Sequence, residues 1–160
     1  MHVRATTRDD LAVVDALLAR SYPKLLKKDY PPSVLVTALP LISRAQPALL
    51  SSGTYYLVET DGHRILGAGG WSRDRQARTV GHIRHVVTDA TATRRGVGRL
   101  LLGHVLEQAR VQGVTQMECW STFTAEPFYR EMGFETLGPI DVPLQPGITF
   151  PAIRMKQRLL

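Results

Sequence analysis

The sequence predicts a mixed α+β fold, and three features predict it. Apolar residues recur every three or four positions in some segments and alternate or cluster in others, the two spacings of helix and strand. Asp61-Gly62 sits between two strand-like runs, a strong tight-turn signal. Residues 80–121 read as strand, glycine turn, helix and strand. Such a unit makes a parallel strand pair with the helix covering one face of the sheet.

Each element has its own reason. A short strand is expected over residues 2–5. Thr7 and Asp10 have the spacing of a capping box, each able to satisfy free amides at a helix start. Leu11, Val14, Leu17 and Leu18 give that helix one apolar face, and Tyr22-Pro23 is expected to stop it. Residues 22–32 hold three prolines and two tyrosines and read as an ordered loop. A second helix is expected from Pro31-Pro32-Ser33 to about Arg44, then a loop over 45–53. Residues 54–59 are aromatic and branched, a strand, and 63–71 return as its hairpin partner. Gly67, Gly69 and Gly70 weaken that partner and allow close backbone approach.

Residues 73–78 form a polar turn before the strand at 80–88. The clearest helix covers 96–112, with Val97, Leu101, Val105 and Ala109 on one side and Arg99, Glu107 and Arg110 opposite. Gly113 closes it. A strand over 114–121, a short helix over 125–132 ended by Gly133, and strands over 134–137 and 150–156 complete the chain.

Composition bounds the possibilities. With 160 residues the chain suits one domain, and 44% apolar with 21% charged residues is ordinary for a globular protein. The net charge of +6 suits an anionic partner. The basic residues fall in local groups at 24–28, 73–78 and 94–99, with no long basic run. Neither nucleic acid nor a membrane is therefore an expected partner. The single cysteine, Cys119, excludes an internal disulfide and a cysteine-rich zinc site. No signal-peptide-like run opens the sequence, and a cytoplasmic location is expected.

The central motif is Thr93-Arg94-Arg95-Gly96-Val97-Gly98-Arg99, between a strand and a helix start. Free amides and the helix dipole favour negative charge there, and glycines let a phosphate reach the backbone. A P-loop needs Gly-Lys-Ser/Thr where Gly98-Arg99-Leu100 stands, and a Rossmann turn wants a small residue where Leu101 sits. Gly96 and Gly98 can equally serve only a tight turn.

This motif resembles the acetyl-CoA signature of the GNAT (Gcn5-related) N-acetyltransferase superfamily, Gln/Arg-x-x-Gly-x-Gly/Ala, with Thr93 at its first position. Downstream, Ala125-Glu126-Pro127-Phe128-Tyr129-Arg130-Glu131-Met132-Gly133-Phe134 is similar to the family's Ala-x-x-Phe/Leu-Tyr-x-x-x-Gly-Phe. Thr122 stands where the family often has Asn. Two motifs in order on the expected elements are far more specific than either alone. The resemblance is specific over residues 82–134 and only an order of elements before that.

The resemblance implies a GNAT fold over 1–160: a mostly antiparallel twisted sheet with one parallel, splayed strand pair, flanked by about four helices. It implies an N-acetyltransferase moving acetyl from acetyl-CoA, its co-substrate, to a primary amine on a small molecule or peptide. The pantetheine arm would pair with backbone at Val86, Val87 and Thr88, and the pyrophosphate would sit on Arg94, Arg95, Gly96, Val97, Gly98 and Arg99. Thr122 and Phe128 would border the same site. An amide near Val86 or Val87 would hold the oxyanion, and Tyr129 would protonate the departing sulfur. His82 is the first candidate base, with His85 and Glu118 behind it.

His82 and His85, three apart on a strand, are expected on opposite faces, so no metal site is expected. Cys119 reads as a buried, inert thiol. The acceptor pocket is expected from residues 22–30, Trp71-Ser72, Trp120 and Phe150. A silent acyl-CoA sensor of the same fold is the alternative, and the family leaves a homodimer open.

Overall fold

A computed structural model of the protein describes residues 1–92 and 95–159. Thr93 and Arg94 of the glycine turn lie outside the described residues. The strands are β1 (His2–Ala5), β2 (Tyr55–Glu59), β3 (Ile65–Arg73), β4 (Val80–Thr88), β5 (Gln116–Ser121), β6 (Glu135–Gln145) and β7 (Ile148–Arg158). They form one sheet in the order β1-β2-β3-β4-β5-β7-β6. Every neighbouring pair is antiparallel except β4–β5, which is parallel.

Among the described residues five α-helices flank the sheet: α1 (Leu11–Leu26), α2 (Pro32–Ile42), α3 (Pro47–Leu50), α4 (Val97–Val111) and α5 (Glu126–Glu131). On one face α1 packs Val14, Leu17 and Leu18 with Tyr55, Leu57, Ala68 and Val87. On that same side Leu26, Tyr30 and Ala38 meet Phe150 and Ala152 of β7. On the other face α4 packs Val97, Leu101, Val105 and Ala109 with Leu66, Trp71 and Met117. This is the apolar stripe its periodicity predicts. Full burial of each such side chain is worth about 1.5–3 kcal/mol, so Leu101→Ala is expected to cost about 2–5 kcal/mol.

The capping box forms as expected, with Thr7 accepting from the Asp9 amide and Asp10 accepting from the Thr7 amide at 2.8 Å. Three expectations change. The first helix runs on to Leu26 with Pro23 inside it. Proline removes one helical hydrogen bond, and the fully covered Leu26 beyond it compensates. The loop expected over 45–53 contains the single turn α3, which Pro47 opens. The last two strands are much longer than expected and form a hairpin turning at Pro146-Gly147. Pro139 and Pro143 sit in β6, an edge strand, where a missing amide is tolerated.

Candidate active site

β4 and β5 lie side by side for three register positions only: Val80 with Gln116, Gly81 with Met117 and His82 with Glu118. Both strands continue, β4 to Thr88 and β5 to Ser121. Past His82 they therefore diverge, and β5 takes β7 as its partner through Ser121. The divergence has a local cause in β4. Ala68 pairs with Val87 and Gly70 with Arg84, so three steps of β4 oppose two of β3, a β-bulge. His85, the extra residue, adopts φ 45°, a left-handed conformation uncommon without glycine. Gly69 makes room for the bulge: a Cβ there would lie 2.7 Å from Val86 Cγ2 and 3.0 Å from its Cα.

Where the strands part, a cavity of about 530 Å³ opens. Val86, Val87 and Thr88 of β4 form one wall. Gly96, Val97, Gly98 and Arg99 at the start of α4 form another. Thr122, Phe128 and Tyr129 close the far side, and Tyr22, Leu25 and Leu26 of α1 reach in from the opposite sheet face. Nine of the predicted binding residues and Tyr129 thus share one space. Arg95 is exposed and is not among its walls, and Arg94 is outside the described residues. Tyr22, Leu25 and Leu26 come from the stretch expected to form the acceptor pocket, whereas sequence reasoning missed Ala92, Thr124, Ala125 and Glu131 as walls. These residues carry no chemical signal, only position.

The fit to a pyrophosphate rests on the α4 start. Gly96, at φ 78°, supplies no capping side chain, and among the described residues no side chain caps the first turn of this 15-residue helix, whose amides suit an anion. Leu100 makes the first helical bond, to the Gly96 carbonyl at 3.0 Å. Gly98 packs on Phe128, whose Cζ would lie 3.1 Å from an added Cβ. A side chain there would push into the cavity wall. Arg99 faces Glu131 at 3.7 Å with both side chains well exposed, a weak pair that an incoming anion can displace. The residues present fit the phosphate end of coenzyme A.

Tyr129 is buried among Phe128 and Phe134, which meet its ring edge-on at 5.5 and 5.4 Å. Burial, then the adjoining Cys119 thiol, then Tyr22 hold its phenol well above the usual range. It is a protonated donor at any physiological pH. Burial pushes the Cys119 thiol up to about 12 against the opposing bond from Tyr129, so it stays an inert thiol.

His82 does not line this cavity. It stands at the apex of the fork, where the strands part, with Nε2 2.8 Å from Asp74 Oδ1 and Nδ1 3.7 Å from Glu118 Oε2. The His82 bond, with amides of Ala77 and Gln76, holds Asp74 at about 2. Asp74 is therefore an acceptor only, and the neutral His82 ring must carry its proton on Nε2. The expected separation of His82 and His85 by strand alternation does not hold, because the bulge breaks the alternation. The His85 ring meets Gln46 at 3.2 Å. Among the described residues no group of His, Cys, Asp and Glu can hold a metal ion. Asp74 and Glu118 contact opposite nitrogens of His82 and do not converge.

The expected acceptor pocket changes too. Trp71 is buried on the α4 face. Tyr30 is clamped between Phe123 and Phe150, and its hydroxyl donates to the Pro151 carbonyl at 2.8 Å. Trp71, Tyr30 and Phe150 are therefore packing residues. Trp120 is exposed. Thr122 lines the cavity, but its hydroxyl also accepts from the Ala125 amide at 3.1 Å and starts α5.

The forked parallel pair, the start of α4 and the buried Tyr129 thus meet around one cavity. Residues 32–156 match the acetyltransferase (GNAT) domain family, and the chain belongs to that family. No curated protein matches by sequence. Among solved structures, a GCN5-related N-acetyltransferase from Rhodopseudomonas palustris superposes with TM-score 0.83 at 18% identity, over 99% of this chain and 95% of that one. PaiA N-acetyltransferase from Thermoplasma acidophilum, in complex with coenzyme A, superposes with TM-score 0.74 at 12% identity, over 98% of both chains. A GNAT-family acetyltransferase from Staphylococcus aureus gives TM-score 0.69 at 15% identity, over 99% of both. These likenesses establish the fold. Among the described residues no helix is long and apolar enough to cross a membrane.

Proposed function

We propose that the protein transfers the acetyl group of acetyl-CoA to a primary amine by direct attack, with both substrates bound together. The observation that carries this reading is the continuous cavity running from the Gly96 start of α4 through the β4–β5 fork to Tyr129. Acetyl-CoA brings an activated thioester, and the chain's residues do the rest. The amides at Gly96 to Arg99 bind the pyrophosphate. Beyond His82, β5 no longer occupies the edge of β4, so an extended arm can take its place as a strand would. The bulge at His85 turns the backbone at Val86, whose amide is the oxyanion donor.

Tyr129 holds its proton until sulfur leaves, then donates it. Its raised pKa keeps it protonated until a thiolate forms beside it, and makes it useless as a base. His82 is the base that the fork geometry favours. Its Nε2 proton is held by Asp74, so its Nδ1 lone pair accepts the amine proton, through water where needed.

Calorimetric titration with acetyl-CoA, followed by CoA release against an amine panel, tests the reading. Binding with amine-dependent release, reduced in Tyr129→Phe, supports it. Absence of binding overturns it, and binding without release from any amine points to a sensor.

A further inference from the structure

On the sheet face carrying α1, β4 is half-buried at His82 and exposed at Arg84. Ser72 pairs with His82 across β3 and β4, and Arg84 lies two residues beyond His82. Arg84 Nε donates to Ser72 Oγ at 2.7 Å, which fixes all three on one face. Glu118 stands beside His82 on the parallel strand. Arg154 reaches Glu118 from β7 at 3.6 Å. Ser72, His82, Arg84 and Glu118 thus form a polar patch at the apex of the fork.

The arginines of the fold are unequally matched, and Arg64, Arg73 and Arg78 meet only neutral oxygens among the described residues. Arg4, Arg20 and Arg110 are each tied to a carboxylate, Asp10, Asp89 and Glu107. Among the described residues no carboxylate pairs with Arg84. Only one of its nitrogens is used, on a neutral hydroxyl, and Arg75 adds a second positive charge close by. An exposed, oriented guanidinium with its terminal nitrogens open is built for bidentate capture of a carboxylate.

Resting on the transfer reading above, we infer that the acceptor is a small zwitterion whose carboxylate is bound by Arg84 and whose amine is presented to His82 and Glu118. Two residues along a strand span about 7 Å. That spacing suits an amine and a carboxylate a few bonds apart, as in a free amino acid. A polycationic acceptor is disfavoured, because Arg84, Arg75 and Arg154 all repel it.

The test compares free amino acids with their own carboxamides in CoA-release kinetics, in the wild type, Arg84→Gln and Arg84→Lys. The carboxamide has the more readily deprotonated amine, so a preference for the carboxylate cannot come from amine basicity. The wild type is expected to favour the carboxylate series by about ten- to a hundredfold in kcat/KM, the worth of a charge-assisted hydrogen bond. Arg84→Gln is expected to collapse that ratio toward one through KM, and Arg84→Lys to restore part of it. Equal use of both series by the wild type, or an unchanged ratio in Arg84→Gln, overturns the inference and leaves acetyl transfer standing. No release from either series, with release from other amines, overturns the inference alone; no release from any amine of a full panel overturns the transfer reading, and the zwitterion goes with it.

Discussion

The Tyr55 hydroxyl donates to the His85 carbonyl at 2.9 Å, from β2 to β4 across the whole width of β3. It reaches that far because Gly70 lies beneath it, where a Cβ would meet the Tyr55 ring at 2.9 Å. The bond fastens the one residue of β4 held in a left-handed conformation. Tyr55→Phe is expected to cost about 0.5–1.5 kcal/mol in stability. It should also lower kcat about tenfold, with the KM for acetyl-CoA little changed, because the Val86 amide loses its aim. Urea unfolding and steady-state kinetics read the two effects, and an unchanged kcat would separate the bulge from the chemistry.

Tyr129→Phe removes a hydroxyl and leaves the ring packing in place. A fall in kcat of about 10²-fold or more is expected, in the range for a lost general acid. Since burial holds the phenol well above its usual range, the wild-type rate should show no downturn from this group below about pH 10. Rate–pH profiles of both proteins check this.

Gly98→Val places a branched side chain against Phe128 at the cavity wall. Acetyl-CoA affinity should fall at least about tenfold. The helix itself should not weaken, because valine is no worse a helix residue than glycine. Calorimetry and thermal unfolding on one sample distinguish a blocked site from a lost fold.

Asp89 gives the pH prediction. Its carboxylate takes the Thr91 hydroxyl at 2.6 Å, the Thr91 amide at 2.8 Å and Arg20 at 3.0 Å. The Thr91 hydroxyl first, then that amide and Arg20, hold it at about 2. A carboxylate with a depressed folded pKa stabilises fully above its unfolded value, and that stability drains as pH falls. The loss should therefore run from about pH 4 down to about 2. Asp89→Asn should cost about 1–3 kcal/mol at neutral pH and flatten this acid limb in denaturation curves.

Much of this architecture was readable from short-range pattern. Residues 80–88 emerged as a strand with both ends right, and α4 within one residue at each end, because periodicity and bounding glycines agree there. Gly96, Gly98 and Tyr129 stand out in the sequence because their motifs are local, and the fold brings them to one cavity. What escaped depends on distance or burial. Pro23 looked like a stop because the worth of covering Leu26 is a tertiary quantity. Pro139 and Pro143 hid a long strand because edge position cannot be seen in sequence. His85 looked like an ordinary alternating residue, since a bulge depends on Gly69 and Tyr55, two strands' worth of context. Arg84 carried no motif. Its meaning came only from the carboxylate that fails to meet it.

The fork leaves the sheet as two panels, β1 to β4 and β5 to β6, fastened along their shared edge by three register positions and the helix that spans them. A long ligand laid in the gap is then a suture as well as a substrate. Each turnover removes and replaces it. The seam should breathe with every product release, and amides flanking the fork should exchange with solvent fastest in the short interval between one coenzyme and the next.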